Sequence, residues 1–190
     1  HIRGDEMTKI TLTSAYDTTI LNYVATGNYD TAGWISSGEM DNETNRIRRI
    51  LLKFDLSTIQ SGAQVISATM RLYLVKDFSS NTRTHRVYRV KRAWVSNEAT
   101  WNVWKSGSNW QTAGCGGVDD RETSDIGSLS MSASETLKKW YSWSLTPSKV
   151  QEWVDGTFAN NGIALIADTE VNDCYEFTSK EDAGGHKPEL

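Results

Sequence analysis

The chain has 190 residues, with 20 Lys and Arg against 24 Asp and Glu, giving a net charge of −4 and a pI near 5.4. That length suits one well-cored domain, and the acidic balance excludes a general nucleic-acid binder. No run of about 18 apolar residues is present, which excludes a membrane-spanning helix.

The first residues, HIRGDEM, read as a vector remnant, so the domain is expected over residues 8–190. TKITLTSAYDTTI offers two short strand candidates around Ser14. Residues 21–45 are rich in Gly, Asn and Asp and predict a long connection carrying Tyr23, Tyr29 and Trp34. Long connections in compact domains often serve function, and three aromatics there must either pack beneath the loop or meet a ligand.

Three runs of period-two alternation follow. In RILLKFDLS, Ile50, Leu52, Phe54 and Leu56 form an apolar face, with Arg49, Lys53 and Asp55 beside Leu51 on the other. ISATMRLYL places Ala68, Met70, Leu72 and Leu74 opposite Arg71 and Tyr73. HRVYRVKR is expected to turn Tyr88 and Val90 inward and His85, Val87, Arg89 and Lys91 outward. From Thr44 to Arg92 the chain carries eight Arg and three Lys against two Asp, a net of +9, while the remainder carries −13. A concentrated basic stretch can hold an anionic ligand locally or pair with acidic neighbours inside the fold.

Trp94 and Trp101 flank a turn of Ser96, Asn97 and Glu98, and residues 105–130 are loop-like, with Asp119, Asp120 and Glu122 read as a solvated acidic turn. In TLKKWYSWSL, Leu137, Tyr141, Trp143 and Leu145 are in register. One short helix is predicted: Thr146 at the N-cap, Pro147 at the first position, an apolar stripe of Val150, Trp153 and Val154, and Gly156 at the end. GIALIAD and CYEFTSKE read as strands, and HKPEL as the start of another. Many short strands with turn signals and a single helix predict an all-β fold, an antiparallel β-sandwich.

Catalytic signals are weak. Of three histidines, His1 and His186 lie near the termini and His85 stands alone on a strand as a surface or sheet-face residue. No nucleophile-elbow, HExxH, Walker or dinucleotide motif occurs, so no enzyme is expected. Cys115 and Cys174 match no metal or redox spacing and leave one long-range disulfide open. No cofactor is required; a structural calcium would have Asp17, Asp30 and Glu181 as candidate ligands if the first and last strands adjoin. Recognition is left. Flat aromatics and cations suit an acidic sugar, and the candidate ligand-binding residues are Tyr23, Tyr29, Trp34, Arg46, Arg48, Arg49, Arg71, Arg89 and Lys91.

The ordered segments AYDTTI (15–20), RILLKFDLS (49–57), ISATMRLYL (66–74), HRVYRV (85–90), W-x6-WN (94–102), WSLTPSKVQEW (143–153), GIALIA (162–167) and FTSKE (177–181) resemble the DNRLRE, or disaggregatase-related, family. The resemblance spans nearly the whole chain from Ala15. It implies a jelly-roll β-sandwich module of an extracellular or cell-surface protein, attached to other domains of its parent. It also implies a non-catalytic carbohydrate-binding role, with an anionic, uronate-containing polysaccharide as partner and no nucleic acid. The alternative is a structural or adhesive domain of a phage tail or cell surface without glycan affinity. The family commonly has Arg where this chain has Lys53 and Lys180.

Overall fold

The structure is a computed structural model that describes residues 7–40 and 44–190; most of the HIRGDEM segment lies outside the described residues. Its strands are β1 (Ser14–Leu21), β2 (Trp34–Glu39), β3 (Ile47–Phe54), β4 (Ala68–Ser79), β5 (Arg83–Arg89), β6 (Val103–Lys105), β7 (Ser108–Asn109), β8 (Gly127–Met131), β9 (Lys139–Leu145), β10 (Ile163–Ala167) and β11 (Asp173–Thr178). Among the described residues there is one α-helix, α1, which spans Pro147–Val154.

All ladders are antiparallel. One layer runs β2-β11-β4-β9 and the other β3-β10-β5-β8, with β1 added beside β3. From β2 on, the chain changes layer at almost every connection, and these two orders are those of a jelly roll. The layers join where β2 leaves β11 and its last two residues, Gly38 and Glu39, pair with Arg48 and Ile47 of β3. The opposite edges, β8 and β9, also lie close, so the sheet curls nearly into a barrel.

Gly38 makes the corner. Its φ is +108°, and a Cβ there would stand 2.4 Å from the Asp173 carbonyl oxygen. Gly38→Ala is therefore expected to lower stability by about 2–3 kcal/mol, measured as a shift of the urea midpoint at constant slope.

Between the layers lies the main core. Ile50, Leu52 and Phe54 of β3 meet Met70, Leu72 and Leu74 of β4, Tyr141 and Trp143 of β9, and Tyr175 and Phe177 of β11. These are the faces the alternation predicts for three of the strands. For β5 the expected faces are reversed: His85, Val87 and Arg89 are buried toward this core, and Tyr88 and Val90 face away. The reason is a second core on the far side of β3 and β10. Ile20, Leu51, Val90, Ala164 and Ile166 are covered there by Trp94, Ala99, Trp110 and Cys115, from residues 91–122. This cap includes the β6–β7 ribbon. With both faces apolar, β5 carries no pattern that names the inner one.

Other expectations are corrected in detail. Residues 21–45 are not one loop, since Trp34–Glu39 forms β2; its sequence, WISSGE, lacks the apolar alternation of a strand. In α1, Val150 and Trp153 are buried but Val154 is not, and Thr146 makes no side-chain cap bond. Gly156 follows the helix with φ +71°, the left-handed conformation expected past a helix end. The two cysteines are free and buried, Cys115 in the second core and Cys174 on β11, so no disulfide joins them. HKPEL does complete a sheet position: Leu12 and Leu190 exchange backbone hydrogen bonds, as do Arg71 and Glu189.

Candidate functional site

Five of the nine predicted ligand-binding residues come together. The Arg46 guanidinium lies 5.2 Å from the Tyr23 ring centre, and that of Arg48 lies 5.7 Å from Tyr23 and 5.8 Å from Trp34. Trp34 in turn meets Tyr29, with ring centres 5.9 Å apart. The result is one stripe, Arg46–Tyr23–Arg48–Trp34–Tyr29. Asn22 fixes its middle by accepting the Ile47 N–H at 2.9 Å, which ties the turn after β1 to the start of β3. Arg48 is buried between the two rings, while Arg46 and Tyr23 are exposed. A cation set over an aromatic face gains roughly 0.5–1 kcal/mol at an exposed site and more when desolvated. The stripe therefore holds its shape without a ligand.

The other four cations are elsewhere. Arg49 makes a two-pronged ion pair with Glu170, at 2.8 Å through both Nε and Nη2, and donates to the Gly114 carbonyl at 2.8 Å. Arg89, 1% exposed, is clamped by Glu122 at 2.7 Å and Glu152 at 2.7 Å, with the Phe158 ring 3.8 Å from its guanidinium. Both belong to the framework rather than to a ligand surface. The Arg89 guanidinium holds Glu122 and Glu152 below the usual carboxylate range, chiefly through its hydrogen bonds to them. Lys91 donates to the Val118 carbonyl at 2.8 Å and borders an open cleft of about 260 Å³ with Glu122, Ser124, Asp125 and Lys149. Arg71 is on the outer face of the β4–β9 pair, where it meets Glu189 and the Trp140 ring.

Asp120, expected in a solvated turn, is fully buried. It accepts backbone N–H groups from Gln111 at 2.8 Å, Thr112 at 3.0 Å and Gly117 at 2.9 Å, and so organises the cap.

The candidate calcium ligands also gather, although β1 pairs with β3 and not with β11: the segment after β11 reaches Asp17 of β1. They gather around a lysine. The Lys180 ammonium lies 3.2 Å from Asp30 Oδ1 and 2.5 Å from Glu181 Oε1, while its backbone N–H donates to Asp17 Oδ2 at 2.6 Å. The cation of this cluster is thus supplied by the chain. Among the described residues no group of three His, Cys, Asp or Glu is arranged to hold a metal ion.

A Ser–His–Asp set is present that sequence reasoning missed, since it placed His85 outward. Ser37 Oγ is 3.2 Å from His85 Nδ1, and His85 Nε2 is 3.6 Å from Asp173 Oδ2, with all three residues 0% exposed. Its polarity is unsuited to attack. Ser37 gives its hydroxyl proton to the Leu165 carbonyl at 3.1 Å. It therefore accepts from Nδ1–H, leaving Nε2 as a bare lone pair facing Asp173. Burial pushes the Asp173 carboxyl up to about 7 and His85 down to about 4. Both are then neutral in mildly acidic solution.

With the geometry in place, the sequence comparison adds the lineage. The profile of the disaggregatase related repeat domain matches residues 17–190. The chain belongs to the disaggregatase related repeat family. No curated protein matches it. The match runs from β1 to the C-terminal pairing segment, so the whole jelly roll with its cap is the disaggregatase related repeat. No helix of the repeat is long and apolar enough to cross a membrane among the described residues.

Trp140, half-buried on the outer face of β9, is an aromatic that sequence reasoning passed over. The signal was available: WYSWSL turns Tyr141, Trp143 and Leu145 inward, so Trp140, Ser142 and Ser144 face out.

Proposed function

We propose that this repeat domain is a non-catalytic carbohydrate-binding module of an extracellular or cell-surface protein, and that its ligand is a uronate-containing polysaccharide. The observation that carries this reading is the stripe Arg46–Tyr23–Arg48–Trp34–Tyr29, in which exposed ring and cation stand together on a rigid sandwich edge. An aromatic face takes the apolar face of a pyranose, and a guanidinium takes its carboxylate in a forked pair. The likeness to DNRLRE modules supports the same reading. The burial and polarity of the Ser37–His85–Asp173 set favour binding without chemistry.

Affinity electrophoresis in gels containing alginate, pectate or chondroitin sulfate tests it. Retardation by at least one acidic polymer is expected, weakening as salt rises. Tyr23→Ala and Arg46→Ala are each expected to weaken it by about tenfold, near 1.4 kcal/mol, with the melting temperature little changed. Migration unaffected by all three polymers would overturn the reading.

A further inference from the structure

The outer face of the β4–β9 pair carries a second surface with a different chemistry. Three cross-strand pairs stand on it in unbroken register: Thr69 with Ser144, Arg71 with Ser142, and Tyr73 with Trp140. At about 3.4 Å per residue the strip is about 14 Å long. Thr69, Ser142 and Ser144 are exposed, and Trp140 is half-buried.

At one end the rings are fixed. Tyr73 stands edge-on to Trp140, with centres 5.4 Å apart, and His186 stacks on Tyr73 at 4.0 Å. The Arg71 guanidinium lies 4.8 Å from the Trp140 ring centre. Of the buried indoles, Trp94 gives its N–H to the Asn161 carbonyl, Trp110 to that of Thr100 and Trp143 to that of His85, while the Trp153 N–H has no partner among the described residues. The Trp140 N–H has no partner among the described residues, and the residues that follow it on this face of β9, Ser142 and Ser144, carry hydroxyls.

The one guanidinium of this strip is matched within it: Arg71 holds Glu189 through Nε and Nη2, and beside it the His186 ring lies 3.7 Å from Asp182. A carboxylated sugar would gain little from a guanidinium already matched and would face Glu189. Hydroxyls, an unpartnered N–H and a flat ring suit an uncharged pyranose, whose C–H face stacks and whose hydroxyls bond at the rim. We infer that the outer face of β4 and β9, centred on Trp140, is a second glycan subsite, selective for neutral polysaccharide. This rests on the carbohydrate-binding reading and extends it to two ligand classes on one domain.

The test uses the whole domain with cellohexaose and mannohexaose as neutral probes and a mannuronate oligomer as the acidic one. A neutral oligosaccharide is expected to shift the Trp140 indole N–H resonance, with an affinity insensitive to salt. Trp140→Ala should lower that affinity by about tenfold and leave mannuronate binding within about twofold, and Tyr23→Ala should do the reverse. Ser142→Glu, an exposed change that sets a charge across the strip, should block neutral binding even where the Trp140 variant folds poorly. If neither neutral probe binds, or binding survives both Trp140→Ala and Ser142→Glu, the second subsite is refuted while mannuronate binding at Tyr23 stands. Equal loss of both classes in Trp140→Ala would refute it in favour of a single site. No binding of any probe would remove both readings together.

Discussion

Replacing Asp173 with Asn is expected to stabilise the domain at pH 8, on the order of 2 kcal/mol, and to leave it nearly unchanged at pH 4. The carboxyl is fully buried, and desolvation raises it from 3.8 to about 7. Below pH 4 the folded and unfolded chains both carry the proton. Between pH 4 and about 7 the unfolded chain loses it and the folded chain keeps it, so this group's contribution falls as pH rises. Above about 7 the folded chain holds a buried charge opposite the bare Nε2 of His85. Asparagine avoids that state. Its oxygen can still accept the Glu39 N–H, now 3.0 Å from Asp173 Oδ1, and its amide N–H can donate to Nε2.

His85 works in the opposite direction. Burial lowers it from 6.5 to about 4, so its contribution is present above 6.5 and is lost as pH falls toward 4. Asp17, raised to about 6 chiefly by burial, adds a second decline with rising pH. Both groups are common to the two proteins, so the difference in urea-derived stability between Asp173→Asn and the parent isolates Asp173. A variant less stable than the parent at pH 8 would contradict the neutral assignment.

The second large effect is expected at Asp120. Asp120→Ala leaves the N–H groups of Gln111, Thr112 and Gly117 without their acceptor, that of Gly117 in a buried position and the other two part-buried. Each buried orphan costs about 1–3 kcal/mol, but the loop can relax, so a loss of about 3–4 kcal/mol is expected. The damage should be local first. Cys115 sits in the second core, fully buried, its thiol pushed up to about 12 by desolvation. Loosening the cap exposes it, whereas Cys174 on β11 stays covered. Labelling with a thiol reagent under native conditions should therefore rise at Cys115 alone. An unchanged Cys115 rate would show that Asp120 does not hold the cap.

The parts of the fold legible in the sequence are those with one apolar face. RILLKFDLS and ISATMRLYL are such strands, and their buried residues follow from alternation alone. HRVYRV is not, because the cap buries Val90 as the sandwich buries Val87, and the buried Arg89 mimics a surface cation. Its partners, Glu122 and Glu152, lie 33 and 63 residues away, and no local pattern joins them. β2 was hidden because it buries serines where a strand usually shows apolar alternation: the Ser37 hydroxyl bonds Leu165 and His85, and Thr19 Oγ1 accepts the Ser36 backbone N–H. The stripe at Tyr23 was legible as composition, since most of its members are close in sequence. That Arg49 and Arg89 are spent on internal carboxylates was not, because ion pairing depends on which distant strands become neighbours.

The pairing of Leu12 with Leu190 has a mechanical consequence. In this antiparallel pair the chain before Leu12 and the carboxyl end of Leu190 point in the same direction. A pull that separates them loads one pair of hydrogen bonds at a time, as in opening a zip, rather than shearing a row together. Under tension the segment 188–190 should peel from Leu12 and Arg71 at low force, while the sandwich behind it stays closed. A domain loaded this way would lengthen slightly and release Glu189 from Arg71 on the outer face of β4 before the stripe at Tyr23 is disturbed.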